Sequence, residues 1–426
     1  MPKHRCLIGS YAETEQEGIL CLELDFENQT FERVGGLAGL SNPSYLCFDP
    51  VRSMIYAVEE ESPVGSLAAV RCTGISEAAD TRAKAEEAAA KAEEAAAKAG
   101  ETAGGGAGTE ESISGYEEKP AAECGMTLAG RVSTGAQHPC HVALSPDGRF
   151  LSVANYSADL PGGSAVLYRV EENGLPVQTD CFYGSFSGEG PGPDPVRQNY
   201  PHIHFTAFFD SRLLACDLGA DKVYQLVMNA DTGRLESLGA DFAARPGCGP
   251  RHLISPDAQG EWVYLVSELD AMLHVLHLEQ DSYPEADTAD TPSPLICLPG
   301  TLHGSYSEVY TVDTLPAGIT AQRRAANRVS SVKLSEDGRY LFVGNRGEDV
   351  ITALRIGADH RPVPVSMAPC GAAEPRDFAV CGDCLVIANQ AGQALTVLHF
   401  DRATEALTLT DMRLETEICP SCVVFF

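Results

Sequence analysis

Basic residues are scarce in this chain. Lys and Arg number 30 against 60 Asp and Glu, a formal net charge of −30 over 426 residues. A polyanionic partner would have to overcome that field with a strong local basic patch, so no nucleic-acid partner is expected. Long apolar runs are also missing. No stretch approaches the roughly 18 apolar residues needed to span a bilayer, and no membrane partner is expected. The opening MPKHRCLIGSYAE holds no long apolar run ahead of a cleavage site, so no secretory signal and a cytoplasmic location are expected. No GxSxG occurs, which leaves a covalent serine route without support. Tryptophan occurs once, at Trp262, inside an apolar run that reads as core.

Cysteine is plentiful but lacks a pairing scheme. The count is 15, an odd number, and Cys47, Cys216 and Cys384 alternate with apolar residues. Buried, reduced thiols are expected. The CxxC of Cys381 and Cys384 sits on a hairpin turn without a second such pair, which argues against a zinc site there.

What the chain has instead is a repeat. The stretch GPRHLISPDAQGEWVYLVSELD, from Gly249 to Asp270, contains Pro-x-x, an apolar run, a turn, a second apolar run and a polar stop. The same cassette opens at Pro43, Pro139, Pro201, Val329 and Pro375, and a truncated copy, PSCVVFF, begins at Pro420. The polar stop falls sixteen residues after the opening position at Glu59, Asn155, Asp217 and Asn345. Longer or shorter turns shift it to Glu268 and Asn389 in two other copies. Each full cassette is followed by another alternating run, such as GSAVLYRV or DVITALRI. Period-2 alternation bounded by Gly, Asp and Pro reads as strand. Self-similarity near 45 residues with about four strands per unit reads as a propeller blade. The expected fold is therefore all-β, a seven-bladed β-propeller forming one domain over residues 1–426.

RCLIGSY and GILCLELD near the start lack a preceding cassette. They are expected to complete the blade whose inner strand is PSCVVFF, so that the two ends of the chain close the ring. That closure would bury Val423, Val424, Phe425 and Phe426. Two insertions interrupt the pattern. Residues 76–119 include AKAEEAAAKAEEAAAKAG, rich in helix formers with Glu–Lys pairs four apart, and are expected to form a helical or flexible insertion in the outer part of the first blade. Residues 281–307 read as a loop insertion in the fourth blade, and HGSYSEVY, which begins at its end, is a candidate lid over one face.

In such a fold the residues just after the Pro and those at the polar stop share one face near the axis. Opening positions supply His141, His202, His204, Arg251, His252 and Arg376, and stop positions supply Glu59, Glu268, Arg346 and Asn389. Any one of these could be a rim hydrogen-bonder; Asn155 and Asp217 read as structural, and His141 could cap its strand. The convergence of Arg, His and carboxylate suits acid–base chemistry on an anion. His202, His204 and Glu268 could be imagined around a zinc ion, but three Arg at the same rim would repel it, and no metal is expected.

The run of PHIH, GPRH, SELD, SEDGRYLFVGNRG, EPRDF and DLGADKVYQL resembles the seven-bladed propeller lactonases, which include propeller-type 6-phosphogluconolactonases and carboxy-muconate lactonizing enzymes. The resemblance covers nearly the whole chain outside the two insertions. It departs at Ser330-Ser331, where the family often carries an acidic residue. It implies opening or closure of a lactone without a required cofactor. By that resemblance the catalytic residues fall on His202 or His204, Arg251, Glu268 and Arg346; the shared face of opening and stop positions adds Arg376, His252, Asn389 and His141 as candidate substrate contacts. The expected substrate is a small, anionic sugar lactone, most simply 6-phosphogluconolactone, and the expected state is a monomer or weak homo-oligomer. Two alternatives stand beside it: a muconate-type cycloisomerase using the same Arg clamp, and a protein-binding propeller, which would show large aromatics on its rim.

Overall fold

The computed structural model describes residues 3–74, 123–157, 159, 161–186, 191–280 and 304–426. These form seven antiparallel sheets, six of four strands and one of five. The inner strand of each blade is the opening run of a cassette: Tyr45–Asp49, Pro139–Leu144, Ile203–Phe209, Pro250–Ile254, Arg328–Leu334, Pro375–Cys381 and Cys419–Phe425. Each inner strand packs against the next around the axis. Cys419–Phe425 touches both Pro375–Cys381 and Tyr45–Asp49, which completes the circle. Blades are numbered below from the Pro43 cassette, so the blade holding both chain ends is the seventh.

Closure of the ring runs as the sequence indicates. Cys419–Phe425 pairs with His4–Tyr11, with Ile8 opposite Val423. Alternation then sorts side chains between neighbours. Cys6 and Ile8 pack with Val386, Ala388 and Leu395 of blade 6, whereas Leu7 packs with Ile55 and Ala57 of blade 1. Of the final four residues, Val423 is buried and Val424, Phe425 and Phe426 are half-buried.

A sheet sandwiched between two others is covered on both faces, so its second strand is buried along its whole length. Met54–Glu59, Phe150–Asn155, Arg212–Asp217 and Tyr340–Arg346 all show this. Alternating exposure appears on outer strands such as Gly125–Ser133. The repeated turns are built by their own side chains. In SPDG, Ser145 Oγ bonds Asp147 Oδ1 at 2.6 Å and accepts from Phe150 N at 2.9 Å, and Gly148 takes a positive φ of 69°. SEDG repeats the arrangement with Ser335, Asp337, Tyr340 and Gly338. Glycine adopts that φ without the penalty a Cβ would bring.

Residues 76–119 lie outside the described residues, as do 281–303. The first insertion runs between Ser66–Thr73 and Gly125–Ser133, the third and fourth strands of blade 1. The lid expected from HGSYSEVY is not found. Gly304–Asp313 is the outermost strand of blade 4, paired with Met272–Gln280, and Tyr306 is buried. Residues 304–307, expected as loop, belong to that strand. The alternation in SYSEVYTV is that of a half-buried edge, which pairs with its blade rather than crossing the mouth.

Candidate active site

The polar stop at the end of each second strand has a structural task. Asn155 faces Pro139 in register, Asn345 faces Val329 and Asn389 faces Pro375. Their amides tie this strand to the segment entering the blade. Asn155 Nδ2 donates to Thr134 O at 3.2 Å, and Asn345 Nδ2 donates to Thr314 O at 3.1 Å. Asn389 Nδ2 donates to Thr396 Oγ1 at 2.9 Å, and that hydroxyl donates to Cys370 O. Asp217 accepts from His202 N at 2.7 Å and Ala220 N at 2.9 Å. Asn389, a candidate substrate contact from sequence, is therefore placed in the wall between strands and not in the pocket.

Blade 4 differs by one residue from the sequence reading. Pro250 pairs with Ser267, so Ser267 holds the wall position and Glu268 stands one place further. One step along extended backbone turns a side chain to the opposite face. The corresponding positions elsewhere are Glu60, Tyr156 and Arg346. These, rather than the stops themselves, meet the opening residues at the mouth.

Glu268 is the centre of that meeting. It is 2% exposed and takes three guanidiniums. Arg251 Nε reaches Oε2 at 2.8 Å, Arg346 Nη2 reaches Oε2 at 3.0 Å, and Arg197 Nη2 reaches Oε1 at 2.5 Å. Burial opposes ionisation of Glu268, but Arg346, Arg197 and Arg251 outweigh it and hold the carboxyl well below the usual carboxylate range. Burial, then the charges of Arg346 and Arg376, push Arg251 below the usual guanidinium range despite Glu268. A second group stands beside it. Arg376 Nη2 donates to Tyr11 Oη at 2.6 Å, and Tyr11 Oη donates to Glu60 Oε2 at 2.7 Å. Arg251, Glu268 and Arg346 thus share one end of the ring, as the cassette geometry requires.

The four histidines do not act alike. His202 is stacked on Tyr156 with rings 4.1 Å apart and 6° from parallel. Both its nitrogens are engaged, Nδ1 with Tyr156 O and Nε2 with Asn199 Oδ1, each at 3.0 Å. That histidine is a strut behind the rim. His204 faces the axis, and its buried Nδ1 has no hydrogen-bond partner. Burial first, and then the charge of Arg251, holds His204 well below the ordinary imidazole range, so it is neutral at pH 7. His141 and His252, which burial likewise keeps neutral, lie deeper. They pack tilted or edge-on against Tyr45 and Phe205, with ring centres 4.1–6.3 Å apart, in a block whose Tyr45 and His252 line a cavity on either side.

That block divides two cavities. Toward the mouth lies a small polar one of about 10 Å³, lined among others by Tyr11, His204, Arg251, His252, Arg376 and Asp377. Such a space holds on the order of one water molecule. Arg251 Nη1, buried and without a partner, borders it along with His204. Beyond the block lies a larger cavity of about 390 Å³, walled mainly by apolar residues such as Phe48, Phe205, Phe208 and Leu253, with His141 on its edge. Among the described residues, His204 and Arg251 both bring an unpartnered buried nitrogen to the smaller space.

Sequence reasoning missed Arg197, Tyr11, Glu60 and Tyr156. Arg197 comes from a loop, where Asp194 Oδ1 accepts from Val196 N and Arg197 N. Its guanidinium sits 5.0 Å over the Tyr156 ring. A lone Arg in the Gly- and Pro-rich GPGPDPVRQN ahead of PHIH was the available signal. For Glu60 and Tyr156 it was the residue after each stop. Trp262 is away from the mouth, stacked on His360 with ring centres 4.2 Å apart.

The comparisons with known proteins agree with this architecture. The chain is 25% identical over 430 residues to a Bacillus subtilis protein named 6-phosphogluconolactonase, covering 100% of this chain and 99% of that one. It superposes on a Pseudomonas aeruginosa structure described as a periplasmic gluconolactonase with a TM-score of 0.74 and 25% identity, covering 100% and 99% of the two chains. A Lactobacillus plantarum structure gives a TM-score of 0.72 at 25% identity, with both chains covered fully. The sequence profile described as "Lactonase, 7-bladed beta-propeller" matches residues 5–102 and 99–425. That match runs along nearly the whole chain and accords with the blade count, so the chain belongs to the seven-bladed β-propeller lactonase family.

Proposed function

We propose that the protein hydrolyses an anionic sugar lactone, with 6-phosphogluconolactone as the first substrate to test. The observation that carries this reading is the pairing of two unsatisfied groups on one small cavity. His204 Nδ1 offers a neutral base and Arg251 Nη1 a donor, both buried and both without partners. In the proposed reaction one water occupies the cavity and attacks the lactone carbonyl. His204 takes the water proton as the C–O bond forms, and Arg251 stabilises the developing oxyanion. The ring C–O bond then breaks, and the imidazolium returns its proton to the leaving alkoxide. Arg346 and Arg197 hold the substrate's phosphate or carboxylate, for which guanidinium geometry is suited.

Glu268 is not the base in this scheme. Its proton affinity is lowered by three guanidiniums, so it is a weak acceptor. It keeps those guanidiniums aimed and limits their mutual repulsion. The names of the relatives favour a gluconolactone-type substrate. None of the described cysteines is in a disulfide, which favours a reducing compartment, the cytoplasm, as the place of work.

The test follows acid release from 6-phosphogluconolactone in a weakly buffered assay. Wild type should exceed spontaneous hydrolysis by orders of magnitude, and unphosphorylated gluconolactone should give a higher KM. A rate equal to buffer for both lactones removes the hydrolase reading.

A further inference from the structure

Behind the mouth of blade 4, three residues of different chemistry approach one point. Cys248 precedes the inner strand Pro250–Ile254, Asp270 lies in the turn after Trp262–Ser267, and His274 is on Met272–Gln280. One potential ligand atom from each lies within 4.8 Å of the other two. His274 Nε2 is 3.9 Å from the Asp270 carboxylate. Tetrahedral zinc with nitrogen and oxygen ligands at about 2.0–2.1 Å places neighbouring ligands about 3.4 Å apart, so a modest contraction closes the set.

Two further observations point to a ligand. His274 is 2% exposed, and its Nε2 is buried with no hydrogen-bond partner. Its other nitrogen, Nδ1, lies 2.6 Å from Glu308 Oε2 on the outer strand. A carboxylate on the far nitrogen of an imidazole fixes the tautomer so that the near nitrogen presents its lone pair, as around metal ions. Nothing in the proposed hydrolysis uses any of these residues. We propose that Cys248, Asp270 and His274 form a zinc site, with Glu308 orienting His274 and a fourth position open to water. Sulfur, nitrogen and oxygen together select a borderline-soft ion over magnesium or calcium.

Binding displaces a proton and a cation. The Cys248 thiol, now 3.7 Å from Asp221 Oδ1, loses its proton to solvent as the thiolate binds. Arg245 Nη2, 2.7 Å from Asp270 Oδ2, competes for that carboxylate, but its side chain is 69% exposed and free to swing into solvent. The bound ion would join three segments of blade 4. Cys248 lies three residues before Arg251, and Asp270 two after Glu268, so the same backbone carries the catalytic candidates.

The experiment titrates reduced, chelator-treated full-length protein with cobalt(II) and then zinc(II). One equivalent of cobalt should give a thiolate-to-metal absorption in the near ultraviolet, bleached by one equivalent of zinc. Cys248→Ser should abolish that band and His274→Gln should weaken cobalt binding at least tenfold. Arg245→Ala, at an exposed side chain, should tighten binding several-fold by removing the competitor. A wild-type protein without the band overturns the proposal, as does a band that persists in Cys248→Ser. Should the buried variants fail to fold, unchanged affinity in Arg245→Ala also overturns it, because Asp270 would then not be a ligand.

Discussion

Replacing Glu268 by Gln removes one negative charge from the centre of three guanidiniums and changes almost no volume. The carboxylate is buried and takes Arg251 at 2.8 Å, Arg346 at 3.0 Å and Arg197 at 2.5 Å. An amide offers one oxygen to these donors and turns its own N–H groups toward the rest. Arg346 keeps the carbonyls of Arg328 and Val329, but Arg251 loses its only ion-pair partner among the described residues. Breaking a buried pair from one side costs about 3–5 kcal/mol, because the remaining charge stays desolvated. At about 2 °C per kcal/mol, the low end of the range and fitting for a long chain, the midpoint should fall by roughly 6–10 °C.

The pH dependence gives that number a sign. The Glu268 pKa is depressed in the folded protein, so its contribution is fully present above the unfolded value of about 4.3 and is lost as pH falls through the folded pKa. The deficit of the variant should hold level from pH 8 to pH 5 and shrink only in stronger acid. Scanning calorimetry at fixed scan rate, with and without inorganic phosphate, measures both. Phosphate should recover more of the midpoint in the variant than in wild type, since the guanidiniums then lack a counter-charge. A fall under about 2 °C, or a deficit that fades between pH 8 and pH 5, refutes the account of a charge-clamping Glu268.

Other consequences can be checked on the same protein. His204→Asn should lower kcat by about 10²–10⁴-fold with little change in midpoint, because its Nδ1 has no bond to lose. His202→Asn should do the reverse, lowering the midpoint through loss of the Tyr156 and Asn199 contacts while kcat stays within about tenfold. With His204 held neutral well below the usual imidazole range, kcat/KM should stay flat as pH falls from 8 through 6.5, and its acid limb should lie lower. A limb centred near 6.5 would reassign the base. Deleting residues 419–426 removes the inner strand of blade 7 and opens one edge of His4–Tyr11, so the cooperative thermal transition should be lost. A truncated chain melting like wild type would contradict closure by the two ends.

The blades, their inner strands and the joining of the ends were legible in the chain itself. Each rests on local chemistry: alternation makes a strand, Ser-x-Asp-Gly makes its own turn, and an apolar Cys422-Val423 run needs a neighbour. Placing Arg251, Glu268 and Arg346 at one end required only the order of strand and turn. Tertiary structure decided the rest. The pairing of Pro250 with Ser267 set Glu268 one step past the wall position, which is a property of two strands together and not of either alone. The reach of Arg197 from a loop, and the link from Tyr11 to both Glu60 and Arg376, join residues as far as 365 positions apart. His202 and His204 are two residues apart in one motif, yet one is bonded at both nitrogens and the other faces the axis with one nitrogen open. Residue type and spacing set which groups could meet; the packing of seven sheets around one axis set which of them did, because desolvation and partner distance arise only when separate blades come together.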